Sequence, residues 1–417
     1  MSSFLILIFT SIVLLIISIK YPEILLVYVI FFFPFTEILL DNFGLDISRL
    51  MVKFIIIFIA ILVNKNSFNH IKINIKRFTT SKFIRGYSLI IVTALVQILF
   101  LQGNKDQYTT LLRDVVIYNA IPCILFVVYC NNDRILYQIN QQIILMSVFS
   151  IIIVYYYFDT SQIIIGQRST IGQSGIDNIS LSQFGVLCFF ICIITIYYNR
   201  YKIMRFISVM VATVSLFIML IAAERGPVVG LLVALISFVI TKTKIGKSYK
   251  PLIILFTFII LTYIMKPERF GIIDRFYDLE NYQSYERYDY ILISIDMFFK
   301  KPILGYGILG FSSQTGMQYP HNIILEFMVE YGIIGLLALY LMLSDCIKVV
   351  YKCLRNQNAN YYEIALSLCW IALFISSLFS GNISGNRYFY AVSGIISAIA
   401  VNKKMTITVP NSIAIKV

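Results

Sequence analysis

Histidine is almost absent, with His70 and His321 the two in 417 residues, so a metal site built on several imidazoles has no material. Seven cysteines stand at 123, 130, 188, 192, 346, 353 and 369, in or beside apolar runs and without a CxxC pair. That pattern argues against a disulfide framework or a thiolate metal site. No Asp-x-Asp occurs, which removes the usual divalent-ion site for nucleotide sugars. Charge is scarce too: 13% of residues, against about 25% in a soluble globular protein. With 59% hydrophobic residues and a mean hydropathy of +0.83, a water-soluble domain is excluded.

Long apolar runs are what the chain has instead. They fall near 4–19, 24–40, 50–63, 86–101, 115–130, 142–158, 181–198, 206–223, 227–240, 252–265, 322–343, 361–380 and 388–401. A spanning helix takes about 20 residues. The fold class expected is an all-α polytopic membrane protein of 12 or 13 spans, a single integral membrane domain over 1–417. The first run lacks a basic leader and an A-x-A site, so it reads as a span and not as a cleaved signal peptide. No repeat relates the two halves, which weakens the case for an inverted-repeat transporter.

The net charge of +13 is unevenly placed. Alternate loops hold six basic residues in 64–85, Arg134, three in 200–205, four in 242–250, three in 348–355 and three after 402. With Lys20, that side carries 21 of the 34 basic residues but only four acids: Glu23, Asp133, Asp345 and Glu363. By the positive-inside rule this side is cytoplasmic. The surplus orients helices against lipid headgroups and calls for no nucleic-acid partner. On the other side lies one long loop, 266–321, with six basic and seven acidic residues. Loops of that length are usually functional.

Four segments on that outer side carry candidate chemistry. In PHNIILEFMVEYGIIG, Pro320 suits a first helical turn, and the run from Ile323 to Leu343 follows as a span. His321 then sits at the helix N-terminus, where the dipole disfavours the imidazolium and leaves the ring able to take a proton. Asn322, Glu326 and Glu330 follow at i+4 spacing. An interfacial histidine beside a hydrogen-bonded polar stripe is the competing interpretation. In AAERGPVVG, Glu224 and Arg225 interrupt two apolar runs before Gly226-Pro227 opens the next span. A fixed cation beside a helix N-terminus suits phosphate, whereas a snorkelling arginine or an Arg–Glu pair is the alternative.

The third segment, ERYDYILISIDMFFKKPILGYGILGF, reads as a membrane-surface helix near 287–300. It puts Arg287, Ile291 and Ser294 on one face and Asp289, Asp296 and Lys300 on another. The Gly305-Tyr306-Gly307 turn then leads toward His321. The fourth is the loop GQRSTIGQSGIDNISLSQ, holding Arg168 and Asn178 among small polar residues. It suits sugar hydroxyls and a flexible turn equally well.

In this order, these four segments resemble the bacterial O-antigen ligase/polymerase family over roughly 160–345, most specifically in PHN…LE…EYGIIG. Within that family the chain is most like a Wzy-type polymerase, its Ile/Phe/Tyr-rich, lysine-biased composition being similar to polymerases of AT-rich antigen clusters. The resemblance implies a GT-C-type glycosyltransferase at the periplasmic face of the inner membrane. It implies that Arg225 and Arg287 bind the diphosphate of an undecaprenyl-diphosphate-linked oligosaccharide and that His321 takes part in transfer. Arg168, Asn178, Glu224, Asn322 and Glu326 fall in substrate or supporting positions. Many members carry Ser or Thr where Glu224 stands, which leaves its role open. The implied partners are the lipid-linked donor and acceptor, membrane lipids and a chain-length regulator protein, with no cofactor or metal.

The physical chemistry points the same way. A lipid diphosphate leaves well once fixed guanidinium groups stabilise its developing charge, without a metal. An acceptor hydroxyl needs a base, and His321 is the histidine on the correct side. Attack opposite the departing diphosphate inverts the anomeric carbon. Two other functions remain: an O-antigen ligase, which uses lipid A–core as acceptor, and a lipid-linked glycan flippase, which predicts mid-membrane charges that the sequence does not show.

Overall fold

The computed structural model describes residues 79–100, 115–130, 132–157, 178–222, 224–241, 283–383 and 385–408, together with Val27, Arg77 and Leu112. The runs before Arg77 and at 252–265, the Arg168 loop and the first part of the 266–321 loop lie outside these residues.

Among the described residues the chain is helical, without strands. The helices are α1 (Lys82–Phe100), α2 (Ile121–Tyr129), α3 (Asp133–Tyr157), α4 (Asn178–Tyr198), α5 (Lys202–Ile221) and α6 (Arg225–Thr241). After them come α7 (Gln283–Lys300), the short α8 (Gly310–Thr315), α9 (Ile323–Arg355), α10 (Tyr361–Ser377) and α11 (Arg387–Thr408). A π-helical turn, Val115–Ala120, runs into α2. Four stretches are long and apolar enough to cross a bilayer: Lys82–Leu99, Ile179–Tyr198, Lys202–Met219 and Ile323–Arg355. Arg225–Thr241 and Tyr361–Ser377 are shorter apolar helices. The architecture is that of an all-α polytopic membrane protein.

Several boundaries differ from the apolar runs. The 142–158 run is only the latter part of α3, which begins at Asp133 because Asn132 accepts the Ile135 amide at 2.9 Å. The 227–240 span begins at Arg225 itself. The 322–343 run is not one straight helix. Gly332 takes φ 63°, ψ −148° and kinks α9. Beyond the kink, about 23 residues rise roughly 34 Å at 1.5 Å each, enough for a hydrocarbon core of about 30 Å.

Packing follows the logic of helices in lipid, where small residues let backbones approach. A Cβ on Gly86 of α1 would fall 2.5 Å from the Ala338 carbonyl of α9, and one on Gly230 of α6 would meet the Ala372 carbonyl of α10. Short side-chain bonds join neighbours: Trp370 Nε1 donates to Ser393 Oγ at 2.9 Å, and Ser81 and Ser397 hydroxyls meet at 2.8 Å. The cysteines are free and buried, serving as small apolar side chains. Outward stripes stay apolar, as in Val92, Leu95 and Leu99 of α1 and Ile333, Leu337 and Tyr340 of α9.

The ends of the bundle are chemically distinct. At the lysine-rich end, Lys404 pairs with Asp345 at 2.7 Å and Lys403 with Glu363 at 2.9 Å. There too Arg77 donates to the carbonyls of Val127 (3.1 Å) and Cys130 (3.0 Å). The opposite end collects the starts of α4, α6, α9 and α11.

Candidate active site at the helix-start end

The loop between α10 and α11, Leu378–Asn386, organises this end. Asn322 caps α9: its Oδ1 accepts from the Ile324 and Leu325 amides at 2.9 and 3.3 Å, while its Nδ2 donates to the Leu378 carbonyl at 3.2 Å. One turn on, the buried Glu326 Oε2 accepts the Ile383 amide at 2.8 Å. On α4, Gln183 Nε2 donates to Asn386 Oδ1 at 2.9 Å. Asn119, in the π turn, donates to the Ile383 carbonyl at 3.0 Å. The start of α6 backs onto the same loop, where a Cβ on Gly226 would sit 2.5 Å from Ser380 Oγ and 3.0 Å from the Ser376 carbonyl.

The helix α9 begins at Ile323, so Pro320 and His321 lie just outside it and not in its first turn. His321 adopts φ 54°, a left-handed backbone that is rare for a residue with a side chain. Its ring lies 4.4 Å from that of Tyr319 and is stacked on Tyr290 at 6.0 Å, 16° from parallel. Tyr290 belongs to α7, three residues after Arg287, so Arg287 and the ring against His321 share a helix face.

That face corrects the sequence pattern. Ser294 and Met297 are buried with it, whereas Ile291 is exposed together with Tyr288, Leu292, Ile295 and Phe299. Asp289, Asp296 and Lys300 form a separate exposed ridge. Lys300 pairs with Asp296 at 2.6 Å, and that carboxylate holds its ammonium above the usual range.

Nor are Asn322, Glu326 and Glu330 a continuous polar stripe. Glu330 Oε1 accepts the Leu309 amide at 2.9 Å, so Asn322 and Glu326 fasten the Leu378–Asn386 loop while Glu330 fastens the turn after α7. Glu224 is buried and Arg225 half-buried at the start of α6. Asn178 opens α4 at this same end.

The structure therefore brings Arg225, Arg287 and His321 to one end of the bundle. His321 touches the Arg287 helix through Tyr290, and its neighbour Asn322 holds the turn against which Gly226 packs. Sequence reasoning missed Tyr290, Tyr319 and the whole Leu378–Asn386 loop. The Ser-Gly-Asn composition of SGNISGN marks a loop, but only the fold shows that three other helices fasten to it.

These features define a polytopic helical membrane protein with cationic and imidazole groups gathered at one end. Residues 210–340 match the family model described as O-antigen ligase. The match supports the O-antigen ligase/polymerase family, whose members are glycosyltransferase-like enzymes of lipopolysaccharide assembly. It covers Arg225, Arg287 and His321 and stops short of the Leu378–Asn386 loop. No curated protein matches the chain.

Proposed function

We propose that the protein is a surface-polysaccharide polymerase. It moves a growing glycan from undecaprenyl diphosphate to the terminal sugar hydroxyl of a lipid-linked repeat unit, at the periplasmic face of the bacterial inner membrane. The acceptor oxygen attacks the anomeric carbon as the bond from that carbon to the diphosphate oxygen breaks. The departing oxygen keeps the electron pair, and the configuration inverts. Arg225 and Arg287 neutralise the charge that develops on the diphosphate. His321 takes the acceptor proton. Asn322 and Glu326 hold the surrounding loop, Glu224 stands beside Arg225 at the start of α6, and the family resemblance gives Asn178 and Arg168 substrate or supporting roles. No metal is called for.

The observation that carries this reading is the stack of Tyr290 on His321, which sets the helix bearing Arg287 against the imidazole. The description of the matching family favours a second reading, an O-antigen ligase with the same donor and lipid A–core as acceptor. Deleting the gene and resolving the lipopolysaccharide on a gel separates the two. Core bearing one repeat unit is expected for a lost polymerase. Bare core with accumulated lipid-linked polymer would replace the first reading with the ligase, and lipid-linked units trapped at the cytoplasmic face would overturn both in favour of a flippase.

A further inference from the structure

We infer that Tyr290 is a positioning residue that holds the His321 ring in its working orientation, an inference that rests on His321 being the base proposed above. His321 cannot keep its place by local preference. Its backbone is left-handed, a conformation that persists in a non-glycine residue only where the surroundings impose it. Pro320 limits the chain before it and Asn322 anchors the chain after it. Neither fixes the rotation of the ring itself.

Two aromatic neighbours flank the ring. Tyr319 lies 4.4 Å away but travels with His321 along the same strand of chain. Tyr290 comes from another element, lies nearly parallel to the imidazole, and is held in turn by the edge of Phe311 at 5.9 Å. Phe311 is buried in a small cluster with Met297 and Val329, so the support runs from the imidazole into packed core. An offset ring pair of this kind works through its faces, and the tyrosine hydroxyl is not part of the contact. Because Arg287 lies one turn before Tyr290, the proposed diphosphate cation and the base are set by one helix. A small rotation of α7 would displace both.

The experiment uses full-length protein in lipid nanodiscs, purified without a polyhistidine tag in a His70→Gln background, so that His321 is the sole histidine. Carbethoxylation of His321 by diethyl pyrocarbonate then reads ring exposure without reference to activity. Tyr290→Leu is expected to speed modification about threefold or more, and to lower kcat for glycan transfer about 10- to 100-fold while the donor KM stays within about twofold. Tyr290→Phe is expected to keep the parent's modification rate and most of its kcat, and thermal unfolding reports whether either variant has lost its fold.

A Tyr290→Leu protein with the parent's modification rate and kcat overturns the inference. So does a Tyr290→Phe protein as impaired as Tyr290→Leu, which would make the hydroxyl the acting group, or a loss confined to KM, which would make Tyr290 a donor contact. Faster modification of Tyr290→Leu, when the parent itself transfers no glycan, would instead sink the proposed reaction and leave the positioning of the ring standing.

Discussion

The backbone amide of Gly307 donates to the carbonyl of Glu330 over 2.9 Å, a bond that exists because α9 is broken two residues further on, at Gly332. At the Gly332 kink the ladder of α9 opens, and the turn after α7 fills the gap. The Tyr306 amide donates to the Val329 carbonyl at 2.9 Å, and the Ile333 amide is satisfied by the Pro302 carbonyl at 2.8 Å. From α1, Gln97 Nε2 donates to the Glu330 carbonyl at 2.8 Å and also reaches the Leu304 carbonyl. In lipid an unsatisfied backbone group costs several kcal/mol, so the kink and the KPILGYG turn depend on each other.

Gly332→Ala should therefore be severe. Its φ of 63° with ψ −148° belongs to glycine alone, and a Cβ would stand 2.5 Å from the Ile303 carbonyl. Backbone strain of this type costs about 1–3 kcal/mol before the clash is added. Thermal unfolding in detergent should show a lowered Tm, with transfer activity falling in step. An unchanged Tm and activity would mean that α9 straightens without penalty.

How much of this was readable in advance depended on what each feature needs. Period and hydropathy are local properties, so α4, α6 and α10 were visible as apolar runs to within a few residues. Arg225 and His321 stood out because a cation or imidazole interrupts the outer edge of an apolar run, whereas Arg287, inside the 266–321 loop, was singled out by the family resemblance. The kink was hidden because Gly332 sits in an apolar run that also suits an unbroken helix, and its partners lie in the turn after α7 and, through Gln97, 233 residues upstream. Tyr290 was hidden for a similar reason. One tyrosine among the 29 in the chain carries no signal until the fold sets it against His321.

Replacing the arginines probes the charge at the reacting end. Arg225→Ala and Arg287→Ala should each lower kcat about 10²- to 10³-fold, the range for removing a group aimed at developing charge. Lysine at either position should restore only part of the rate, since a point charge does not reproduce the planar fork that grips two phosphate oxygens. His321→Ala should abolish transfer while the protein remains inserted and abundant, and the parent enzyme should stay active in excess EDTA. Radiolabelled glycan transfer in purified nanodiscs measures each of these. Strict metal dependence or a fully active His321→Ala protein would defeat the mechanism.

Asn322 has two separable duties. Its Oδ1 caps α9 and its Nδ2 ties the Leu378 carbonyl, so Asn322→Ala should lose about 1 kcal/mol of stability from the cap alone. Aspartate keeps the cap and suits the helix dipole, but it has no donor for Leu378. Asn322→Asp is therefore expected to regain the Tm of the parent protein while transfer stays reduced. Equal recovery of both would show that the tie to the Leu378–Asn386 loop does not matter for activity.

At the other end of the bundle, the Lys404–Asp345 pair is asymmetric. The Asp345 side chain is 2% exposed and the Lys404 side chain 40%. Removing the lysine strands a carboxylate inside the protein, whereas removing the aspartate frees an ammonium that can already reach water. A buried pair broken on one side typically costs 3–5 kcal/mol, and the exposure of the Lys404 head screens this to roughly 2. Lys404→Met should thus lower the Tm more than Asp345→Asn. The double variant should recover most of the loss, because no uncompensated charge remains. Thermal unfolding of the three proteins measures the difference. Equal losses in both single variants would mean that Asp345 is stabilised by other groups and that the ion pair contributes little to holding α9 against α11.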